Sequence, residues 1–160
     1  MVVVITGSVA TGKTTLAHTL SLALGYEYVD VNLLLRENHL GDYDVRLDSL
    51  EVEEDTVVQF LKSLVHDHSR LVFDSHLSHL LDSSFVELCV VCTCSLPVLK
   101  KRLEERDYSP MKVRENLDAE VFEVCLREAE EKGHKILILD TSISSVDDCV
   151  EKILDSLSSQ

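Results

Sequence analysis

Residues 1–25 read MVVVITGSVATGKTTLAHTLSLALG, and this stretch decides the fold. Met1 to Thr6 is apolar and β-branched on both faces, the pattern of a strand covered on both sides of a sheet. Lys13 to Leu24 puts Leu16, Leu20, Ala23 and Leu24 on one helical face, and Gly25 is placed to end that helix. Between them, residues 7–14 read GSVATGKT and match G-x-x-x-x-G-K-[ST] at every fixed position. A loop of this kind turns its backbone N–H groups inward around phosphate oxygens, and the following helix adds its positive end. Lys13 supplies a mobile cation for the outer phosphates, and the Thr14 hydroxyl can ligate Mg²⁺. The competing reading is an ordinary strand–turn–helix. The buried strand before the motif and the amphipathic helix after it favour a phosphate loop. Ala10 stands where such loops often carry glycine, so a positive φ there would leave it mildly strained.

Outward from this unit, apolar runs alternate with helical patterns. Tyr26 to Val29, LVFD at 71–74, FVELCVVCT at 85–93 and ILILD at 136–140 read as four more strands. Asp30 can cap a helix carrying Leu33, Leu34 and Arg36. After an acidic, irregular stretch from Gly41 to Ser49, Val57, Phe60, Leu61, Leu64 and Val65 form an apolar helical stripe. Ser95 can cap a helix from Leu96 to Arg106, with Pro97 in its first turn. Residues 107–112 connect to one amphipathic helix marked by Val113, Leu117, Val121 and Val124. Ser145 and Asp148 suit a capping box for the last helix. The alternation predicts an α/β fold: a five-stranded parallel sheet with helices on both faces. Ligands of such sheets bind at the carboxyl ends of the strands, where Gly7, Asp30, Asp74 and Asp140 fall.

Four further groups of residues carry candidate chemistry at that rim. Asp74 ends the third long strand and can hold Mg²⁺ through water; capping a helix is the competing role. His76 follows two residues on and can orient a γ-phosphate, an attacking water or an acceptor phosphate, unless it is a surface histidine. Arg102 and Arg106 are four apart, on one helical face. They can stabilise transferring phosphoryl oxygens, or form a solvated set with Glu104 and Glu105. Arg36 lies in the segment that covers the acceptor in a nucleotide kinase and can pair bidentately with a phosphate. Asp30 and Asn32 belong to the same segment, with helix capping and surface pairing as alternatives. His18, His39, His66, His68, His79 and His134 show no metal-ligand spacing and read as surface residues.

The composition bounds the rest. The 160 residues, 45% of them apolar, suit one domain spanning residues 1–160. The formal charge of −14 disfavours duplex nucleic acid and anionic membranes; it suits a basic partner, with a well-solvated surface as the competing reading. Cys89, Cys92, Cys94, Cys125 and Cys149 lack the paired clusters of a four-cysteine metal site and read as small buried hydrophobes. In a strand, Cys92 and Cys94 would share a face opposite Cys89. The odd cysteine count and the lack of a leader pattern point to a reducing, cytoplasmic setting. No apolar run reaches membrane-spanning length.

GSVATGKTTL at 7–16, YVDVNLLLRE at 28–37, FDSH at 73–76 and KRLEERDYSPMKVRENLDAEVFEV at 101–124 together resemble the small nucleotide kinases of the adenylate kinase isoenzyme 6 type. That family doubles as a ribosome-assembly ATPase. RLEERDY followed by E-N-x-x-A-E is the most specific part. The resemblance implies a three-layer P-loop nucleoside-monophosphate-kinase fold with a short lid near 105–115 and an acceptor-monophosphate region near 30–53. It implies that Ala10 to Thr15 bind ATP phosphates, that Arg106 touches ATP, and that Asp74 and His76 serve Mg²⁺ and ATP hydrolysis. AMP, or another nucleoside monophosphate, is the implied acceptor, and a basic small-subunit ribosomal protein the implied partner. The chain departs from the family at Val9 and Ala10, where proline and glycine are usual. An ATPase assembly factor, or a P-loop kinase of another small acceptor, are the other activities these motifs admit.

Overall fold

The computed structural model describes residues 1–45, 49–66 and 70–159. Arg46, Leu47 and Asp48 of the expected acceptor segment, and His68, lie outside the described residues. In chain order the elements are β1 (Val2–Gly7), α1 (Lys13–Leu24), β2 (Glu27–Asp30), α2 (Val31–Glu37), β3 (Asp42–Asp44), β4 (Ser49–Glu51) and α3 (Glu54–Leu64). They continue with β5 (Leu71–Asp74), β6 (Val86–Thr93), α4 (Leu96–Glu104), α5 (Pro110–Val121), α6 (Val124–Glu131), β7 (Ile136–Asp140) and α7 (Val146–Ser158).

Five strands form one parallel sheet in the order β2-β5-β1-β6-β7. β1 sits at the centre and every one of its residues is buried. Its alternating side chains feed two cores, as the two-residue period of a strand requires. Val2 and Val4 join Phe73, Cys89 and Val91 under α2, α3 and α6. Val3 and Ile5 join Val72, Val90 and Cys92 under α1 and α7. A fully buried side chain such as Phe73 contributes roughly 1.5–3 kcal/mol. These two layers hold the sheet rigid beneath the rim where β1, β2, β5 and β7 end.

Several local expectations change. The single helix expected through Val113 and Val124 is two: Glu123 takes a left-handed φ of 52° and separates α5 from α6. The break lets α6 turn back onto the sheet, where Ala129 is buried. α5 begins at Pro110, earlier than expected, with Ser109 as its cap. α4 ends at Glu104, so Arg106 lies in the turn beyond the helix that carries Arg102. Ser95 heads α4 without a side-chain capping bond. Cys94 does not share the core of Cys92. It lies past the end of β6 and packs with Ala10, Leu99, Leu103 and Val113.

Two histidines expected at the surface are buried. His79 is wholly enclosed and His134 nearly so. His79 Nε2 meets Glu128 Oε2 at 2.8 Å, its Nδ1 meets Thr6 Oγ1 at 2.7 Å, and His134 Nε2 meets the His79 carbonyl at 2.7 Å. Both ring nitrogens of His79 are thereby paired, which makes its burial tolerable, whereas His134 is paired at Nε2 and its buried Nδ1 is not. The antiparallel pair β3–β4 was also unforeseen. Each of its strands is three residues long and lacks an apolar face that would register as alternation.

Candidate active site

The loop after β1 is built by three residues with positive φ. Gly7 has φ 140°, and a Cβ there would stand 2.3 Å from the Cys92 carbonyl oxygen, so only glycine lets the loop pass this close to β6. Gly12 has φ 87° and caps α1. Ala10 has φ 66°, the positive φ whose strain the sequence raised only as a condition, with its methyl buried against α4 and α5. Within the loop, the Thr11 hydroxyl donates to the Ser8 carbonyl at 2.7 Å and Lys13 Nζ donates to the same oxygen at 2.7 Å. The N-terminal amides of α1 therefore face a loop closed on itself, a ready anion cradle.

The loop is also held from outside. Thr141, in the turn after β7, donates its hydroxyl to the Thr11 carbonyl at 2.6 Å. Arg102 Nη1 donates to the Ala10 carbonyl at 3.3 Å and to Thr141 Oγ1 at 3.1 Å, and Nη2 donates to the Thr141 carbonyl at 3.1 Å. Arg102 is thus engaged in fastening the loop. Nothing in the spacing of the sequence pointed to Thr141.

Across the sheet rim, Asp74 ends β5 and is buried. Its Oδ2 accepts from Thr14 Oγ1 at 2.7 Å and from Tyr28 Oη at 2.9 Å. Tyr28 opens the YVDVNLLLRE stretch but has no site role in the sequence reading, because nothing in its spacing shows that its hydroxyl meets Asp74. Burial, then the adjacent Asp74 carboxylate, push the Tyr28 phenol's pKa above its ordinary value. Burial lowers that of the Lys13 ammonium, with Asp74 opposing. His76 is pushed down to about 4 by burial and then by Lys13, so the ring is neutral at pH 7.

A cavity of about 300 Å³ brings Lys13, Thr14, Asp74 and His76 together with Arg36 and Arg106. Asp30 and Asn32 line it as well. Asp30 Oδ1 caps α2 by accepting from Leu33 N at 2.9 Å, the capping role expected for it. Asn32 Oδ1 accepts from Ser75 Oγ at 2.9 Å, tying α2 to the Asp74-Ser75-His76 turn. The Arg36 guanidinium lies 3.8 Å from the centroid of the Tyr43 ring on β3. A second cavity of about 400 Å³ opens on the other side of the loop, between Gly12, Thr15, Arg102, Thr141 and Val146. Ala10, Gly12, Thr15 and Arg106 line both. Arg102 lines only the second of these two, so the arginines four apart in sequence meet there and Arg106 alone also reaches the first. Gly7 lines neither, and shapes the loop from behind.

The Thr14 hydroxyl and Asp74 carboxylate are an oxygen-only pair beside a phosphate cradle. Mg²⁺ takes one or two protein oxygens plus phosphates and waters, so the pair fits that ion without a complete protein cage. Among the described residues, no cluster of three or more His, Cys, Asp or Glu could hold a metal alone.

Comparison with known proteins gives the family. The family described as AAA domain matches residues 3–123. A protein of Methanocaldococcus jannaschii named "Putative adenylate kinase" is 32% identical over 158 residues, covering 98% of this chain and 86% of that one. The adenylate kinase isoenzyme 6 homolog of Caenorhabditis elegans is 29% identical, covering 94% of this chain and 84% of its own. The chain belongs to the adenylate kinase isoenzyme 6 family. It is accordingly a kinase-type phosphotransferase that binds nucleotide through its P-loop. The solved structure of shikimate kinase from Acinetobacter baumannii in complex with shikimate has a TM-score of 0.68 at 17% identity, covering 99% of this chain and 93% of that one. That likeness is one of fold, the P-loop kinase fold expected from the family. No helix among the described residues is long and apolar enough to cross a membrane.

Proposed function

We propose that this protein transfers the γ-phosphate of ATP to AMP, giving two ADP, and also hydrolyses ATP slowly. The observation that carries the reading is the single cavity shared by the phosphate loop and the Asp30–Arg36 segment. A simple ATPase has no need of an arginine such as Arg36 in the same cavity as its loop.

In this reading Lys13 leaves the Ser8 carbonyl for the outer phosphates of ATP. The loop amides from Ala10 to Thr15 cradle the remaining phosphate oxygens, and the base side lies along Arg102, Thr141 and Val146. Thr14 and Asp74 hold Mg²⁺, which screens charge on the β- and γ-phosphates when bound. Arg106, at the junction of the cavities, reaches the transferring group as part of a short lid near 105–115. Arg36 grips the acceptor phosphate, with Asn32 and Asp30 shaping the acceptor region near 30–53. An acceptor phosphate oxygen attacks the γ-phosphorus, and its bond to the bridging oxygen of ADP breaks. Positioning and charge stabilisation supply the catalysis. A neutral His76 orients the γ-phosphate or, with no acceptor, a water.

The test is ADP production from ATP and Mg²⁺ with each nucleoside monophosphate in turn, Lys13→Ala serving as the blank. Saturable stimulation by AMP, lost by about 10³-fold in the variant, is the expected result. Normal turnover in Lys13→Ala would sink the assignment.

A second reading, an ATPase assembly factor in small ribosomal subunit maturation, draws on the Asp74-Ser75-His76 turn and the formal charge of −14. It requires nucleotide-dependent capture of a basic small-subunit ribosomal protein. ADP release indifferent to every monophosphate would favour it over kinase action. Stimulation by a small acceptor that is not a nucleotide would favour the remaining alternative, since the loop is blind to acceptor identity.

A further inference from the structure

β2 and β5 are neighbours in the sheet, with Tyr28 level with Val72 and Asp30 level with Asp74. Tyr28 reaches along this edge to donate its hydroxyl to Asp74 Oδ2 at 2.9 Å. Thr14 donates to the same oxygen at 2.7 Å. The Tyr28 ring in turn stacks on the His18 imidazole of α1, the centroids 3.7 Å apart and the planes 23° from parallel. The phenol is therefore held between the helix that opens at the phosphate loop and the carboxylate at the end of β5.

A carboxylate turns easily about its last torsion. Two donors converging on one oxygen remove that freedom. They leave Oδ1 as the acceptor for a water of a metal's shell. Thr14 supplies only one of the two donors: its O–H can donate to Asp74 while its lone pair faces a metal, but one bond leaves the carboxylate free to pivot about it. Tyr28 is the donor with no other duty at the site.

We propose that Tyr28 is a positioning residue for metal binding: its hydroxyl locks Asp74 Oδ2 and aims the other oxygen at the Mg²⁺ shell. The proposal rests on the reading of Thr14 and Asp74 as the residues that hold the ion. Outer-shell partners of this kind change metal affinity by about 10–100-fold when removed.

The experiment compares the parent protein, Tyr28→Phe and Asp74→Asn for binding of a fluorescent ADP analogue, in EDTA and across a Mg²⁺ titration. Tyr28→Phe keeps the ring and its stack on His18 and removes only the donor. It is expected to bind the analogue in EDTA within about twofold of the parent, and to need about tenfold more Mg²⁺ for half-maximal tightening. Asp74→Asn is expected to lose the Mg²⁺ response. His18→Ala, at an exposed partner, frees the ring while sparing the hydroxyl, and is expected to raise the Mg²⁺ requirement by less. An unchanged Mg²⁺ requirement in Tyr28→Phe, beside a lost response in Asp74→Asn, overturns the role of Tyr28 alone. A full Mg²⁺ response in Asp74→Asn removes the underlying reading of the metal site. Equal weakening of Tyr28→Phe in EDTA and Mg²⁺, or its failure to fold beside an unaltered His18→Ala, makes the tyrosine structural and overturns the proposal.

Discussion

Arg102 and Thr141 are joined twice, Nη1 to the hydroxyl and Nη2 to the carbonyl, each at 3.1 Å. The same threonine hydroxyl bonds the Thr11 carbonyl, so α4, the β7–α7 turn and the phosphate loop are one hydrogen-bonded unit.

Arg102→Ala should therefore loosen the loop as well as remove a charge. The expected cost is about 1.5–3 kcal/mol, the range for hydrogen bonds involving a charged group, together with a higher KM for ATP. Arg102→Lys should rescue little, because an ammonium cannot reproduce the planar fork that spans Ala10 and Thr141. Urea denaturation alongside ATP saturation curves checks both halves. An Arg102→Lys protein with parent stability and KM would show that charge alone matters there.

At Ala10 three small terms compete. Left-handed alanine costs about 1–2 kcal/mol, which Ala10→Gly would relieve. Against that stand the buried methyl, about 0.8 kcal/mol, and the greater unfolded-state freedom of glycine, about 0.4–1 kcal/mol. The expected change in Ala10→Gly is under about 1 kcal/mol in either direction. Ala10→Val puts a branched side chain at φ 66° and should destabilise by about 1–3 kcal/mol. Equal stability of the two variants would contradict the left-handed loop.

His79 makes stability depend on pH. Burial lowers its pKa from the ordinary 6.5, with Glu128 opposing and His134 and Lys132 adding to the lowering. The folded state thus binds fewer protons than the unfolded chain as pH falls below 6.5, and stability drops in that direction. Above 6.5 the contribution is fully present. One such group gives a slope of at most about 1.4 kcal/mol per pH unit, and His76 adds a slope of the same sign. Unfolding measured at pH 7.5 and 5.5 should show the loss, and His79→Gln should reduce it while lowering stability at both. A slope unaffected by His79→Gln would assign the titration elsewhere.

Arg36 and Tyr43 separate acceptor binding from acceptor preorganisation. If Arg36 grips the acceptor phosphate, Arg36→Ala should raise the acceptor KM about 10–100-fold, in line with a charge-assisted pair, and leave the KM for ATP near that of the parent. Tyr43→Leu removes a cation–π contact of about 0.5–1 kcal/mol and should raise the acceptor KM only about two- to fivefold. Initial rates with the two substrates varied separately decide the matter. Equal effects of Arg36→Ala on both KM values would place the arginine outside the acceptor pocket.

The long buried strands and the loop were legible because their signals are local. Val2 to Ile5 and Leu71 to Asp74 are apolar runs of strand length, and Gly25 and the Ser145–Asp148 box mark helix ends by rules acting over three or four residues. The β3–β4 pair was illegible because Asp42-Tyr43-Asp44 becomes a strand only by bonding Ser49 to Glu51. The break at Glu123 was hidden because Val121 and Val124 keep helical spacing across it.

By itself the sequence determined the sheet, the phosphate loop and the acid at the end of β5, since periodicity and motif spacing are properties of neighbouring residues. Only the tertiary structure decided what those groups touch. It enclosed His79 against Glu128, turned Arg102 onto the loop carbonyls and brought Tyr28 to Asp74. Each of these contacts joins segments far apart in the chain, and a hydrogen bond depends on distances of a few ångströms that residue spacing does not encode.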